Sequence, residues 1–231
     1  MNKNVKICLS VIVPVFNEKG NIKKIIAEIK KVSIRKEIIV IDDGSTDGTV
    51  EILKGLHDHE VKIYHHPINI GKGAAIRLGL FYAKGDIIII QDADLEYDPQ
   101  DYLELIKPIV SGETEVVYGK RQFNSSKGRH LRYYWGGRLL THIANFLYGI
   151  NISDEATCYK VFRSGVFKNI KLNCIGFEFC PEITAKIARR GMKIVEVPIS
   201  YKPRSVKEGK KIRWFDGMKA IYVLLKYKFF E

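Results

Sequence analysis

Residues 86–94 read Asp-Ile-Ile-Ile-Ile-Gln-Asp-Ala-Asp. Four successive isoleucines predict a strand covered on both faces, because β-branched side chains suit a pleated, buried surface. Such a strand belongs in the middle of a largely parallel sheet. Its carboxyl end delivers two acids, Asp92 and Asp94. Two positions apart in extended chain, they point to one side, and Glu96 prolongs the row if the chain stays extended. Open α/β sheets bind their ligands beyond the carboxyl ends of the strands. Acids placed there with no adjacent Lys or Arg suit a hard divalent cation, Mg²⁺ or Mn²⁺. The plainer reading is a strand followed by a polar turn, since Asp98-Pro99 also starts a helix.

The flanking sequence supplies the rest of such a sheet. Residues 9–16 predict a first strand, and the turn at 17–21 opens a helix through Lys31 with Ile22, Ile25, Ile26 and Ile29 on one face. Residues 37–42 predict a second strand, ending in the turn-rich segment 42–49 that starts another helix. A short strand at 61–65 and a helix over 74–83 precede the isoleucine run. Strand and helix thus alternate as in a doubly wound, mostly parallel sheet flanked by helices. Beyond Asp94 the pattern predicts a helix over 99–110 and a strand at 115–118. A polar, basic, mobile loop at 122–132 and an amphipathic segment at 135–150 follow. The remainder is a short strand within 154–163, a helix over 178–190, an edge strand at 193–198 and a last helix near 214–229. That helix would carry Trp214, Met218, Ile221, Tyr222 and Leu225 on one side.

Charge bounds the partners. The 231 residues carry a formal net charge of +12, which implies an anionic partner: phosphate, nucleic acid or an acidic membrane surface. Residues 116–153 contain no Asp or Glu but hold Lys120, Arg121, Lys127, Arg129, Arg132 and Arg138. A second basic run holds Lys202, Arg204, Lys207, Lys210, Lys211 and Arg213, diluted by Glu208. The four cysteines lie apart, which argues against a zinc ribbon or a disulfide scaffold and fits a reducing cytosol. His57, His59, His65 and His66 match no usual zinc spacing. The opening residues lack the apolar run of a signal peptide, and no apolar stretch is long enough to span a bilayer.

Three strand ends carry acids on what should be one sheet edge: Asn17-Glu18, Asp42-Asp43 and Asp92-x-Asp94. Acids there accept hydrogen bonds from ribose hydroxyls and ring N–H groups, and the turn at 44–48 lets backbone approach a ligand closely. The edge reads as a nucleotide pocket with a metal at its mouth. Gly71-Lys72-Gly73-Ala74 does not have phosphate-loop spacing, no G-x-G-x-x-G follows the first strand, and no G-x-S-x-G occurs. Lys72 has the reach for a phosphate; a surface lysine at a helix start is the simpler expectation.

Taken in order, VIVPVFNE at 11–18, VIDDGSTDGT at 40–49, NIGKGAAIRLG at 69–79 and QDADLEYDP at 91–99 resemble the family 2 glycosyltransferases of the GT-A fold. DEATCYKVF at 154–162, GFEFCPEI at 176–183 and YKPRSVKEGKKIRWFDG at 201–217 are similar to the polyprenyl-phosphate branch, that of the dolichol-phosphate mannose synthases. The resemblance covers about residues 9–220. It implies one GT-A domain over 1–231, with a nucleotide-sugar half at 1–98, an acceptor half at 99–213 and a C-terminal amphipathic helix at 214–231.

The resemblance also implies roles. Pro14, Asn17, Glu18 and Asp43 would hold the nucleoside, with Lys72 nearby. Asp92 and Asp94 would bind Mg²⁺ or Mn²⁺, with Glu96 as a third ligand. Arg204 would contact the donor diphosphate. Arg121, Arg138 and Thr141 would receive the acceptor phosphate, and Asp154 would lie near the reacting sugar carbon. The implied reaction is one inverting displacement through an oxocarbenium-like state, moving a hexose from a nucleotide-sugar to a polyprenyl phosphate. A phosphate monoester has a second pKa of about 6 and needs no strong base. A saccharide hydroxyl, the alternative acceptor, would need one, with Asp154 or Glu155 as candidates. Thr157-Cys158-Tyr159-Lys160 departs from the Ser-Gly-Phe-Arg common in that branch, which leaves GDP-mannose and UDP-sugars both open.

The expected location is cytoplasmic, peripheral at a membrane, with residues 135–150 and 214–229 either lying among headgroups or packing on their own domain. A nucleic-acid-binding module would explain the charge but not three acidic strand ends, so no nucleic-acid partner is expected. A nucleotidyltransferase would need a glycine-rich triphosphate loop that does not follow the first strand.

Overall fold

A computed structural model describes residues 7–56, 58–122, 131–204 and 214–230. The basic residues Lys127, Arg129, Lys207, Lys210, Lys211 and Arg213, together with His57, lie outside this range, as do most of the loop expected at 122–132 and the side chain of Arg132. The isoleucine run forms β4 (Ile87–Ile90), every residue buried. Fully burying one such side chain contributes about 1.5–3 kcal/mol. The other strands are β1 (Leu9–Val15), β2 (Lys36–Asp43), β3 (Val61–His66), β5 (Val116–Arg121), β6 (Lys160–Arg163) and β7 (Ile194–Ile199). They form one seven-stranded sheet in the order β3-β2-β1-β4-β6-β5-β7. Helices α1 (Ile22–Lys31), α2 (Thr49–Lys54), α3 (Lys72–Tyr82) and α4 (Tyr102–Val110) connect the early strands. Helices α5 (Leu131–Tyr148), α6 (Phe179–Arg189) and α7 (Trp214–Phe229) belong to the second half.

The sheet is mostly parallel, as the alternation predicts, but β6 runs antiparallel to both β4 and β5. The order reverses between β1 and its two neighbours, β2 and β4, and there the crevice of an open α/β sheet lies. Pro14 helps to open it. Ile12 O accepts from Gln91 N at 2.9 Å, so Ile12 faces β4. Pro14 is the next residue in that row and has no N–H to offer. Pairing of β1 with β4 stops at Ile12–Ile90, while β1 and β2 continue together to Val15–Asp42.

The amphipathic helices resolve differently from their apolar stripes. On α7 the inner face is Ala220, Val223, Leu224 and Tyr227, packed with Ala144 of α5 and Ala185 of α6. Trp214, Met218, Tyr222 and Leu225 of the expected stripe are exposed, Trp214 to 70%. On α5, Leu140, Ile143 and Leu147 pack inward, whereas Leu139 and Phe146 face out. Among the described residues, no helix is long and apolar enough to cross a membrane.

Candidate active site

The exit of β1 and the exit of β2 are stitched together. Asn17 takes a left-handed conformation (φ 51°), which asparagine tolerates better than most residues. Its N–H donates to Ser45 Oγ (2.9 Å), and its Oδ1 accepts from Thr46 N (2.8 Å). Glu18 N donates to Thr49 Oγ1 at 3.1 Å. Asp43 is fully engaged: His66 Nδ1 lies 2.7 Å from one oxygen and Gly71 N donates to the other at 2.7 Å. Asn69 Nδ2 and Ile70 N complete the set at 2.8 and 3.1 Å. Asp43 therefore fastens the loop before α3, and its lone pairs are taken. Its neighbour Asp42 differs. Asp42 Oδ1 is buried and no described residue hydrogen-bonds to it, which leaves an unsatisfied acceptor at the crevice end of β2.

Beyond β4 the chain is clamped before it delivers its acids. Gln91 Oε1 accepts from both Tyr102 Oη and Tyr159 Oη at 2.6 Å. Asp92 Oδ1 then lies 2.5 Å from Lys72 Nζ, and Asp94 Oδ2 lies 2.8 Å from Arg204 Nη2. Burial pushes the Asp94 carboxyl up to about 7, and the negative charges of Asp92 and Glu96 add to that. Burial opposes the Lys72 charge, but Asp92 outweighs it and keeps the ammonium protonated well above its usual range. The surface lysine expected at the helix start is thus drawn inward.

The glycines of the Gly-Lys-Gly motif explain how. Gly71 sits at φ 129°, and a Cβ there would lie 2.5 Å from Ile175 O. A Cβ on Gly73 would lie 2.8 Å from Gly176 O. With no side chains in the way, the 175–176 backbone rests on the start of α3, where Ala74 N donates to Ile175 O at 2.9 Å.

Glu96 does not continue the row of Asp92 and Asp94. Leu95 is left-handed (φ 61°) and turns the chain, so the extended arrangement fails. The Glu96 carboxylate instead accepts from Tyr201 Oη at 2.8 Å and Arg204 N at 2.6 Å. Arg204 also reaches Glu18 at 3.3 Å, joining the β1 exit to the β4 exit. Among the described residues, no group of three or more His, Cys, Asp or Glu gathers in a way that could hold a metal ion. Two hard carboxylates nevertheless fit an ion of the Mg²⁺ type, which commonly takes one or two protein oxygens and completes its shell with water and ligand phosphate. They do not fit a closed protein cage.

On the other side of Tyr201 lies the basic pocket, about 200 Å³, lined by Lys120, Arg121, Tyr134, Gly137, Arg138, Ser153 and Asp154. Arg121 and Arg138 are brought together here, as the sequence implies. Thr141 is not: it is buried, donating to Gly137 O at 2.8 Å and accepting from Glu155 N at 3.0 Å. Lys120, Tyr134 and Ser153 were not foreseen, although Lys120 falls in the acid-free stretch. Arg121 forks onto Asp154, with Nε to Oδ2 and Nη2 to Oδ1 both at 2.7 Å. Its guanidinium also lies over the Tyr201 ring, 5.0 Å from the centroid. Asp154 is held from behind too, its N–H donating to Glu196 Oε1 at 3.0 Å. A continuous series therefore runs Asp154–Arg121–Tyr201–Glu96–Arg204–Asp94.

A family model described as "Glycosyl transferase family 2" matches residues 10–171. The chain belongs to that family. It is 30% identical to a dolichol-phosphate mannosyltransferase of Pyrococcus furiosus, over 95% of this chain and 64% of the relative. It is 27% identical to a dodecaprenyl-phosphate galacturonate synthase of Rhizobium johnstonii, over 85% of this chain and 59% of the relative. The chain thus spans less than two thirds of either relative's length. Both relatives are named for sugar transfer or synthesis on a polyprenyl phosphate. The GT-A fold of this chain is shared with glucosyl-3-phosphoglycerate synthase of Mycobacterium tuberculosis, solved with Mn²⁺, UDP and glucosyl-3-phosphoglycerate. That match has a TM-score of 0.73 at 21% identity and covers 96% of this chain and 80% of the other.

Proposed function

We propose that this family 2 chain transfers a hexose from a nucleotide-sugar to a polyprenyl phosphate at a membrane surface, with inversion. The observation that carries the reading is the pairing of two sites of opposite character on one sheet edge. The acids Asp92 and Asp94 stand at the β4 exit, and the pocket of Lys120, Arg121 and Arg138 stands across Tyr201 from them. The relatives named for dolichol and dodecaprenyl phosphate support the acceptor, and the Mn²⁺–UDP complex of the structural neighbour supports the donor class and the metal.

Pro14, Asn17 and Glu18 shape the nucleoside side of the crevice. Asp42 brings the unsatisfied oxygen there, while Asp43 orders the loop around it. Asp92 and Asp94 would hold Mg²⁺ or Mn²⁺, which when bound neutralises charge on the departing nucleoside diphosphate. Arg204 supplies fixed positive charge beside the same group. Lys120, Arg121 and Arg138 bind and aim the acceptor phosphate, which is mostly dianionic above pH about 6. Both Asp154 oxygens take the Arg121 fork, so Asp154 orients that guanidinium and is a poor candidate for a base. Glu155, the other candidate base, is fully buried and accepts from Thr184 Oγ1, so a phosphate acceptor is favoured over a saccharide hydroxyl.

The outward Trp135, Leu139 and Phe146 of α5, and Trp214, Phe215, Met218 and Tyr222 of α7, supply apolar surface for headgroup contact, with Lys219, Lys226 and Lys228 among them. The test is incubation with radiolabelled GDP- and UDP-hexoses, Mg²⁺ or Mn²⁺, and membranes supplemented with polyprenyl phosphate. An organic-extractable, mild-acid-labile product is expected. Label appearing only in water-soluble glycan would overturn the acceptor assignment.

A further inference from the structure

We propose that Lys72 is an internal counter-ion for Asp92 that a divalent cation must displace, and that the displaced ammonium then pairs with the donor diphosphate. This deepens the reading above and rests on it. The two acids of the β4 exit each hold a cation of this chain, but the two cations are anchored unequally. Arg204 is held by Glu18, Asp94 and Glu96 together, the last also through its own backbone N–H. Among the described residues Lys72 has one carboxylate partner, Asp92 at 2.5 Å, with the Cys158 thiol at 3.8 Å and the Phe177 ring centroid at 5.9 Å. About a fifth of each side chain of the Lys72–Asp92 pair stays exposed, 21% and 20%, on the crevice side of a fixed backbone.

A flexible four-carbon stem with one strong partner is the movable member of such a pair, and a planar guanidinium bound on several sides is the fixed one. An ammonium and a divalent cation cannot both lie against one carboxylate oxygen, since like charges repel steeply in a partly buried site. A cation that takes Asp92 Oδ1, the oxygen Lys72 holds, therefore releases Lys72. The released ammonium remains at the first turn of α3, beside the same crevice, where a diphosphate is the anion within reach. Before the donor arrives, Lys72 keeps the acid pair neutral and weakens capture of a lone cation; with the donor, the same charge favours the complex.

The test compares the wild-type chain with Lys72→Met, which keeps the stem and removes the charge, and Lys72→Arg, which keeps the charge. Mn²⁺ affinity is read by electron paramagnetic resonance without nucleotide, and nucleoside diphosphate affinity by calorimetry at saturating Mn²⁺. Lys72→Met is expected to bind Mn²⁺ alone on the order of tenfold tighter, the scale of one nearby charge, and the diphosphate on the order of tenfold more weakly. Lys72→Arg should stay near wild type in both. Opposite shifts in one variant cannot arise from a damaged fold. Saturable Mn²⁺ binding of equal or lower strength in Lys72→Met overturns the exchange alone. Absence of Mn²⁺ binding in wild type and Lys72→Met alike, with Asp92→Asn as the blank, overturns the metal reading and the exchange with it.

Discussion

At the exit of β4 two acids are each matched by a base, whereas the pocket beside α5 sets three bases around one acid. With Glu18 and Glu96 also on Arg204, the first arrangement keeps net negative charge, and the second keeps net positive charge. On the exchange proposed above, a cation enters the acidic site only as an ammonium leaves it. The basic pocket involves no such exchange and keeps its charge throughout. The two also differ in how they are built. The acidic site is carried by segments that immediately follow β1, β2 and β4 and is clamped by Gln91 and two tyrosines. The basic one is assembled from β5, α5 and the 153–154 loop, held together by the Arg121–Asp154 fork.

The largest effect that separates these sites is expected from Asp92→Asn combined with Asp94→Asn. Turnover should fall about 10²–10³-fold or more, the range for losing one preorganised charge-stabilising group. Acceptor-phosphate binding should stay near wild type, since neither acid lines the basic pocket. Single-turnover assays with labelled donor, and direct binding of a short-chain prenyl phosphate, measure the two quantities. Comparable loss of both would merge the sites into one.

The next effect is on the basic side. Arg121→Ala leaves the mostly buried Asp154 carboxylate without its fork and should cost about 3–5 kcal/mol of stability, as for other broken buried pairs. Urea denaturation reads it. Arg138→Ala, by contrast, is expected to raise the acceptor KM about tenfold, the value of one charge-assisted contact, at almost unchanged stability. If Arg121→Ala behaved like Arg138→Ala, Arg121 would be an acceptor contact with no bracing role.

The same contrast explains what was legible in the sequence. The isoleucine run, the helical stripe of α1 and the turn after β2 are local signals, and each element formed within a few residues of its expected place. The acids of the β4 exit follow their strand directly, so their place at the sheet edge is legible. Glu96 was misplaced because a left-handed Leu95 leaves no mark in sequence. Lys72 is legible as a donor-side residue, but its ion pair with Asp92 is not, because that partner lies twenty positions away. The Arg121–Asp154 fork spans 33 positions, and Thr141 was assigned to the acceptor although its hydroxyl is committed to Gly137 and Glu155. A four-residue β6 carries no signal of direction, which is why its antiparallel insertion was unseen. On α7 apolar residues occupy most of the circumference, so periodicity alone selected the outward side.

A smaller effect tests whether the two sites communicate. Tyr201 touches both, its hydroxyl donating to Glu96 and its ring lying under Arg121. Tyr201→Phe keeps the ring and removes the hydroxyl that donates to Glu96, a bond worth about 1 kcal/mol. The melting temperature should drop about 2–4 °C for a domain of this size. If the series from Asp154 to Asp94 transmits anything, prenyl-phosphate affinity should also become less sensitive to bound nucleoside diphosphate. A lowered melting temperature with that sensitivity intact would make Tyr201 a packing residue alone.

The smallest effect concerns acid stability, and it compares the halves of the sheet. Burial works against the charge of Glu37 on β2, but bonds from Lys62, Ser10 and Lys84 N prevail and hold its carboxyl below the usual range. Glu182 on α6 is likewise lowered against its burial, by Lys186, Asn173 N and Tyr227. A lowered folded pKa means stability that is present above the unfolded value of about 4.3 and lost as pH falls through the folded one. These two carboxyls should therefore make stability decline below pH about 4.3. Glu37→Gln and Glu182→Gln should each make that decline shallower. Both tryptophans, Trp135 and Trp214, lie on α5 and α7, so their fluorescence reports the acceptor half alone. If the sheet unfolds as one unit, Glu37→Gln shifts the fluorescence curve as Glu182→Gln does. If only Glu182→Gln moves it, the two halves come apart separately in acid, and the difference between the sites extends to the cohesion of the fold beneath them.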